Sequence, residues 1–159
     1  MNILSDHEKE NLKISKGTLS DEDRKIMNEH VSLSYELLNK LPYPNHLKQV
    51  PFYAGCHHEK IDGSGYPNGF KGDKLPLQAR VIAIADVFEG LTAPDRPYKK
   101  GYALSKAMQI LKNMVEDNEI DKDLFKLFIN KKLYLKYAKD HVDSSQIHRI
   151  DKKQYLLNK

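Results

Sequence analysis

HHEKIDGSGYPNGFKGDKLPLQARVIAIADVFEGLT, residues 57–92, is the stretch on which the fold turns. Its first half, Asp62 to Pro76, is crowded with Gly63, Gly65, Gly69, Gly72, Pro67 and Pro76, which is the composition of turns. From Leu77 the texture changes. Leu77, Val81, Ile84, Phe88 and Leu91 recur at three- and four-residue spacing and predict a helix over 77–91. Ile82, Ala83, Ala85 and Val87 make its middle apolar all round, so it is expected to be central and buried on most sides.

The same pattern extends outward in both directions. Ser20-Asp21-Glu22-Asp23 offers a small capping residue and acids for a first helical turn. The helix it starts carries Met27, His30, Val31, Ser34 and Leu38 on one face and should end near Leu41-Pro42. A second helix is expected from His46 or Pro51 to His57-His58-Glu59. Two more follow, over 105–115 and from Asp121, the latter with Leu124, Phe125, Phe128 and Ile129 inward. Lys131 onward either extends that last helix or starts another. The fold class is all-α, with one glycine-rich loop.

A chain of 159 residues suits one compact domain, and 40% hydrophobic residues can build a core. No run approaches the roughly 20 apolar residues of a membrane span. Asp6, Glu8, Lys9 and Glu10 give the start the wrong character for a signal peptide. Cys56 is the single cysteine, so a disulfide framework is excluded and a reducing, cytoplasmic setting is expected. The net charge of +4 is unevenly placed: residues 131–159 hold eight Lys/Arg against three Asp. This basic tail reads either as a solvated helical face or as a contact for an anionic partner, and nothing in it calls for specific DNA binding.

The chemistry gathers around His57-His58. Neutral imidazoles bind first-row divalent ions, and a carboxylate nearby ligates or orients them. Adjacent helical residues point about 100° apart, so both can ligate only at a helix end, which the following glycines supply. A pair of surface histidines before a loop is the plainer alternative. His30 reads either as a core histidine bonded to a carbonyl or as a third ligand. Asp86, inside an apolar helix, needs a metal, hydrogen bonds or a cation, with Arg80 and Lys60 as candidates. Arg96-Pro97-Tyr98-Lys99-Lys100 offers cations and a ring suited to phosphate and base, or else forms a solvated basic loop.

Together these residues resemble the HD-GYP family of metal-dependent phosphohydrolases. HHEKIDGSGYP is similar to the family signature HHExxDGxGYP, whose eight specified positions match by chance about once in 10¹⁰ windows. LPLQARVIAIADVFEGLTAPDRPYKK, KGTLSDEDRKIMNEH and EIDKDLFKLFI resemble further family segments, so the likeness runs from about residue 14 to 130. The resemblance implies an HD-domain-like helical bundle, and a cyclic di-GMP phosphodiesterase using clustered divalent Fe or Mn. Carried over by motif, His30, His57 and His58 ligate one metal and Asp86 helps hold its neighbour. Arg96, Lys99 and Tyr66 meet the substrate, while Glu59, Asp62, Gly63, Gly65 and Pro67 shape the loop.

The departures set the remaining expectations. The family's His-Asp pair, in a motif like HDxGK, would precede residue 14, and Asp6-His7 stands in reversed order without the Gly-Lys. Glu89-Gly90 replaces Asp-Ala, and the segment 92–96 carries an extra residue. Residues 1–130 are therefore expected to form a partial HD-GYP domain, incomplete at the N-terminus, and 131–159 a basic helical tail. The isolated chain would be a phosphodiesterase impaired or inactive by itself, working only with a missing N-terminal half. The alternatives are a degenerate metal- or nucleotide-binding module and an interaction module for GGDEF domains, which the family's GYP loop contacts.

Overall fold

The structure, a computed structural model, describes residues 20–93, 101–148, 150–151 and 154–155. Every regular element among them is helical: α1 (Asp21–Asn39), α2 (Val50–Ala54), α3 (Leu77–Thr92), α4 (Leu104–Glu116), α5 (Lys122–Asn130) and α6 (Leu133–His141). Short 3-10 turns cover Asn45–Leu47, Gly72–Lys74 and Ser144–Gln146. No helix among the described residues is long and apolar enough to cross a membrane.

The helix starts follow local chemistry. Ser20 accepts the Asp23 amide at 3.1 Å while the Asp23 carboxylate accepts the Ser20 amide at 2.9 Å, a reciprocal capping box on α1. Asp121 caps α5 by accepting from Asp123 and Leu124 at 2.9 and 3.0 Å. Its other carboxylate oxygen meets the Arg80 guanidinium at 2.6 Å. Asp121→Ala is therefore expected to destabilise the fold by about 1–2 kcal/mol, a fall in Tm of roughly 2–8 °C. Asp121→Asn should recover only the capping part in thermal unfolding, because asparagine caps equally well but sets its NH2 against the Arg80 guanidinium.

One core joins α3, α4, α5 and α6 through Ile84, Phe88, Leu104, Met108, Leu111, Phe125, Ile129 and Tyr134. The residues after 130 are part of it. Lys132, at φ 52°, breaks the chain between α5 and α6, so a new helix forms and turns Tyr134 and Ala138 inward. Val142 and Tyr155 follow them into the same cluster. Lys131, Lys132, Lys136 and Lys139 are exposed.

Three sequence expectations change here. The second helix stops at Ala54, and turns carry the chain to His58, because Gly55 and Cys56 close it with bonds to Pro51 and Tyr53 carbonyls. On α1 only Val31 of the expected stripe is buried, and Met27 is 52% exposed, since α1 packs on α2 alone among the major element contacts. On α3 the buried side is Ala79, Ala83, Ile84, Phe88 and Thr92, whereas Leu77, Val81 and Ile82 are exposed. The major helix contacts of α3 are with α2, α4 and α5, and they leave Leu77, Val81 and Ile82 exposed, so its all-round apolarity does not translate into all-round burial.

Candidate metal centre

His57 and His58 lie in the turns just after α2, where a chain leaving a helix can aim adjacent side chains at one point. His30 reaches the same point from the exposed face of α1. One ring nitrogen from each of the three lies within 4.8 Å of the others. His30 Nδ1 donates to the Met27 carbonyl at 2.5 Å and His57 Nδ1 donates to the Ala54 carbonyl at 2.6 Å. A carbonyl only accepts, so both protons are fixed on Nδ1 and both Nε2 atoms carry free lone pairs. Those two Nε2 atoms face each other at 3.3 Å.

Two lone pairs held at that distance repel unless a proton or a metal ion lies between them. Imidazole nitrogens about 2.1 Å from one ion, at about 90–110°, are about 3.0–3.4 Å apart, so the residues present fit a divalent first-row metal. His30 thus combines both sequence alternatives: a carbonyl-bonded histidine and a member of the ligand cluster. Burial, and then the neighbouring His57, push the His58 pKa down despite the raising influence of Asp86. A depressed pKa keeps that ring neutral and able to ligate.

Asp86 corrects the sequence reading of a buried carboxylate. Its side chain is 43% exposed and lies 4.0 Å from His58 Nδ1, so water and imidazole supply what an apolar environment would deny it. Neither candidate cation takes it: Arg80 pairs with Asp121, and Lys60 pairs with Glu119 at 2.6 Å. Tyr66 stacks on His58 at a ring separation of 4.9 Å. Burial, and next the Asp86 charge, raise the pKa of its phenol, which stays a proton donor.

The loop after the histidines is held from inside. Glu59 is 4% exposed, and its carboxylate accepts the amides of Asn68 and Phe70 at 2.7 and 2.9 Å. Asp62 accepts the Ser64 amide and hydroxyl at 2.9 and 2.8 Å, which turns the chain at Gly63, where φ is 83°. The Tyr66 amide bonds the His58 carbonyl at 3.2 Å. That crossing brings Gly65 so close that a Cβ there would lie 2.4–2.6 Å from Lys60 N, His58 O and Glu59 Cα. Pro67 follows through a cis Tyr66–Pro67 bond. Cys56, behind this loop, has its thiol pushed up to about 11 by burial and by Glu59, and behaves as an inert core residue.

With this geometry in view, the comparison with known proteins is specific. The family model for the HD domain matches residues 7–124. The chain belongs to the HD domain family. Its His57–Pro67 segment marks it as an HD domain of the HD-GYP type. Among curated relatives, the cyclic di-GMP phosphodiesterase response regulator RpfG of Xanthomonas campestris is 41% identical over 96 residues, 60% of this chain and 25% of the relative. The 3'3'-cGAMP-specific phosphodiesterase 3 of Vibrio cholerae is 35% identical over 109 residues, 69% of this chain and 23% of the relative. A cyclic di-GMP phosphodiesterase of Thermotoga maritima is 33% identical over 98 residues, 62% and 26% respectively. The chain thus spans about a quarter of the length of the relatives it matches.

The structure of this HD domain brings together His30, His57, His58, Asp86 and Tyr66, with Glu59, Asp62, Gly63, Gly65 and Pro67 building the loop beside them. Arg96 and Lys99 lie outside the described residues. Sequence reasoning missed Glu119. Its carbonyl accepts the Ile61 amide at 2.9 Å and its carboxylate takes Lys60, so it ties the segment leaving the histidines to the turn between α4 and α5. Residues 59 positions apart leave no local pattern that announces such a pair.

Proposed function

We propose that the chain is the metal-dependent phosphohydrolase part of an HD-GYP protein, cleaving a phosphodiester of a cyclic dinucleotide, with cyclic di-GMP as first choice. The observation that carries this reading is the convergence of three imidazole nitrogens within 4.8 Å, beside a loop built around a buried carboxylate. His30, His57 and His58 would hold a divalent ion, Fe or Mn, with Asp86 orienting His58 or reaching a second ion. Such an ion supplies Lewis acidity and lowers the pKa of bound water. The carbonyl bonds of His30 and His57 hold their rings in the ligating tautomer. Tyr66 offers a flat face and a phenolic proton on the substrate side, and Arg96 and Lys99 would neutralise phosphate charge. Each cleavage breaks one P–O bond and adds the elements of water, once to give the linear dinucleotide and twice to give mononucleotides.

Among the described residues, three imidazoles and Asp86 suffice for one ion and fall short of a two-ion clamp. A second reading is nucleotide or metal binding without hydrolysis, for which one ion on the three imidazoles is enough. A GGDEF partner draws on the family resemblance only.

The test is anaerobic incubation of the full chain with Fe(II) or Mn(II) and either cyclic di-GMP or 3'3'-cGAMP, with His58→Ala as control. Slow release of linear dinucleotide or GMP, abolished in the variant, is the expected result. Dinucleotide binding with no product selects the second reading. A chain that binds neither metal nor either dinucleotide would overturn both.

A further inference from the structure

Residues 117–121, the turn between α4 and α5, reach two of the segments that carry the metal centre. Glu119 takes the segment that leaves the histidines: its carbonyl accepts the Ile61 amide at 2.9 Å and its carboxylate accepts from Lys60 Nζ at 2.6 Å. Asp121 takes α3, meeting the Arg80 guanidinium at 2.6 Å. Lys60 stands just past His58 in the chain, and Arg80 precedes Asp86 on the same helix. The two segments held by this turn are therefore the ones that bring His58 Nδ1 and an Asp86 oxygen to 4.0 Å.

The turn is itself fixed. The Glu119 amide donates to the Met114 carbonyl of α4 at 2.8 Å, and Asn118 sits at φ 59°. Cys56, Glu59, Arg80, Ala83 and Glu119 line one small cavity, so the histidine segment, α3 and the turn meet directly. The Lys60 and Glu119 side chains are 33% and 24% exposed, and water screens them less than a pair on the open surface. Lys60 is also coupled to His58. Gly65 packs against the Lys60 backbone nitrogen, and Tyr66 beside it donates its amide to the His58 carbonyl and stacks on the His58 ring. A shift of Lys60 therefore moves the groups that set that ring.

We propose that Glu119 is a positioning residue for the metal centre: by holding Lys60 and Ile61 to a turn that also holds α3, it sets the direction of His58 and its distance from Asp86. The inference rests on the reading of the three imidazoles as metal ligands. Glu119 acts through Lys60 and is not itself one of the clustered groups.

The test is Mn(II) affinity of the full chain, read by calorimetric titration and by the paramagnetic resonance signal of free Mn(II), in Lys60→Glu, Glu119→Lys and the double variant. Each single change sets two like charges together, and the double restores the pair with its signs reversed. Both singles should bind Mn(II) about tenfold more weakly, the scale on which groups that orient a ligand act. The double should recover most of that loss, the mark of a pairwise coupling. Charge alone predicts otherwise, because Lys60→Glu adds negative charge near the ion and would tighten binding. A tighter Lys60→Glu, a double no better than the singles, or unchanged affinity throughout would overturn the positioning role. In metal-free protein, exchange of the Ile61 amide should quicken in both singles and slow again in the double, while Leu111 and Phe125 keep their rates. An unmoved Ile61 amide would overturn the role as well. Lys60→Met and Glu119→Gln bring no like charges together and serve where a reversal fails to fold. Both should weaken binding by about threefold, the scale of one partly exposed ion pair, whereas charge alone has Lys60→Met tighten it. An unaltered chain that takes up no Mn(II) would overturn the metal reading and this role with it. An unaltered chain that binds, with variants that match it, would overturn this role alone.

Discussion

His57→Ala is expected to lower affinity for Mn(II) or Fe(II) by at least about 100-fold, since groups that only hydrogen-bond to a ligand already contribute about 10–100-fold to such sites. His57 is half-buried and contributes no core packing, so thermal unfolding without metal should stay close to that of the unaltered chain. The reason for so large an effect is geometric. His57 Nε2 is one of two lone pairs locked at 3.3 Å by carbonyl bonds on the far side of each ring. Removing it leaves His30, exposed on α1, without the partner that makes its position a site. Metal content after dialysis against a weak chelator, together with calorimetric titration, checks the result. Asp86→Asn should behave differently: a smaller loss of affinity if Asp86 orients His58, or a drop in metal stoichiometry if it reaches a second ion.

Gly65→Ala is expected to destabilise the fold by about 3 kcal/mol or more, the upper range for overpacking, which lowers Tm by roughly 6–12 °C in a chain of this size. The added methyl would sit against three backbone atoms of His58, Glu59 and Lys60, none of which can swing aside as a side chain can. Relief requires moving the very residues that follow α2, so metal affinity should fall together with stability. Gly72→Ala is the contrast. Its φ is 46° and nothing lies within 4 Å of the added carbon, so only the left-handed backbone penalty of about 1–2 kcal/mol applies. Parallel thermal melts and metal titrations of the two variants separate crowding at the site from backbone strain.

Much of the architecture was legible locally. The capping box at Ser20, the start of α5 at Asp121 and the extent of α3 and α4 all follow from caps and hydrophobic spacing, which act over a few residues. Burial was less legible. Periodicity reports which residues could face a core, not how many sides of a helix have a neighbour, so Leu77, Val81 and Met27 read as inward and lie exposed. The short α2 was overextended because residues 55–58 form helical-looking turns that the pattern cannot distinguish from a helix.

Helical spacing, the chemistry at His57-His58 before a glycine-rich turn, and the likeness to the HD-GYP family could all be read from the sequence alone. Those properties reside in contiguous residues. Only the tertiary structure decided that His30 meets His57 across 27 residues, that Asp86 is half-solvated beside His58, and that Glu59 holds the loop by two amides. It also decided that Lys60 pairs with Glu119 and Gln146 with Thr92 and Tyr102. Each of these is a distance or a direction between segments, set by how the helices pack, and a one-dimensional pattern carries no such quantity.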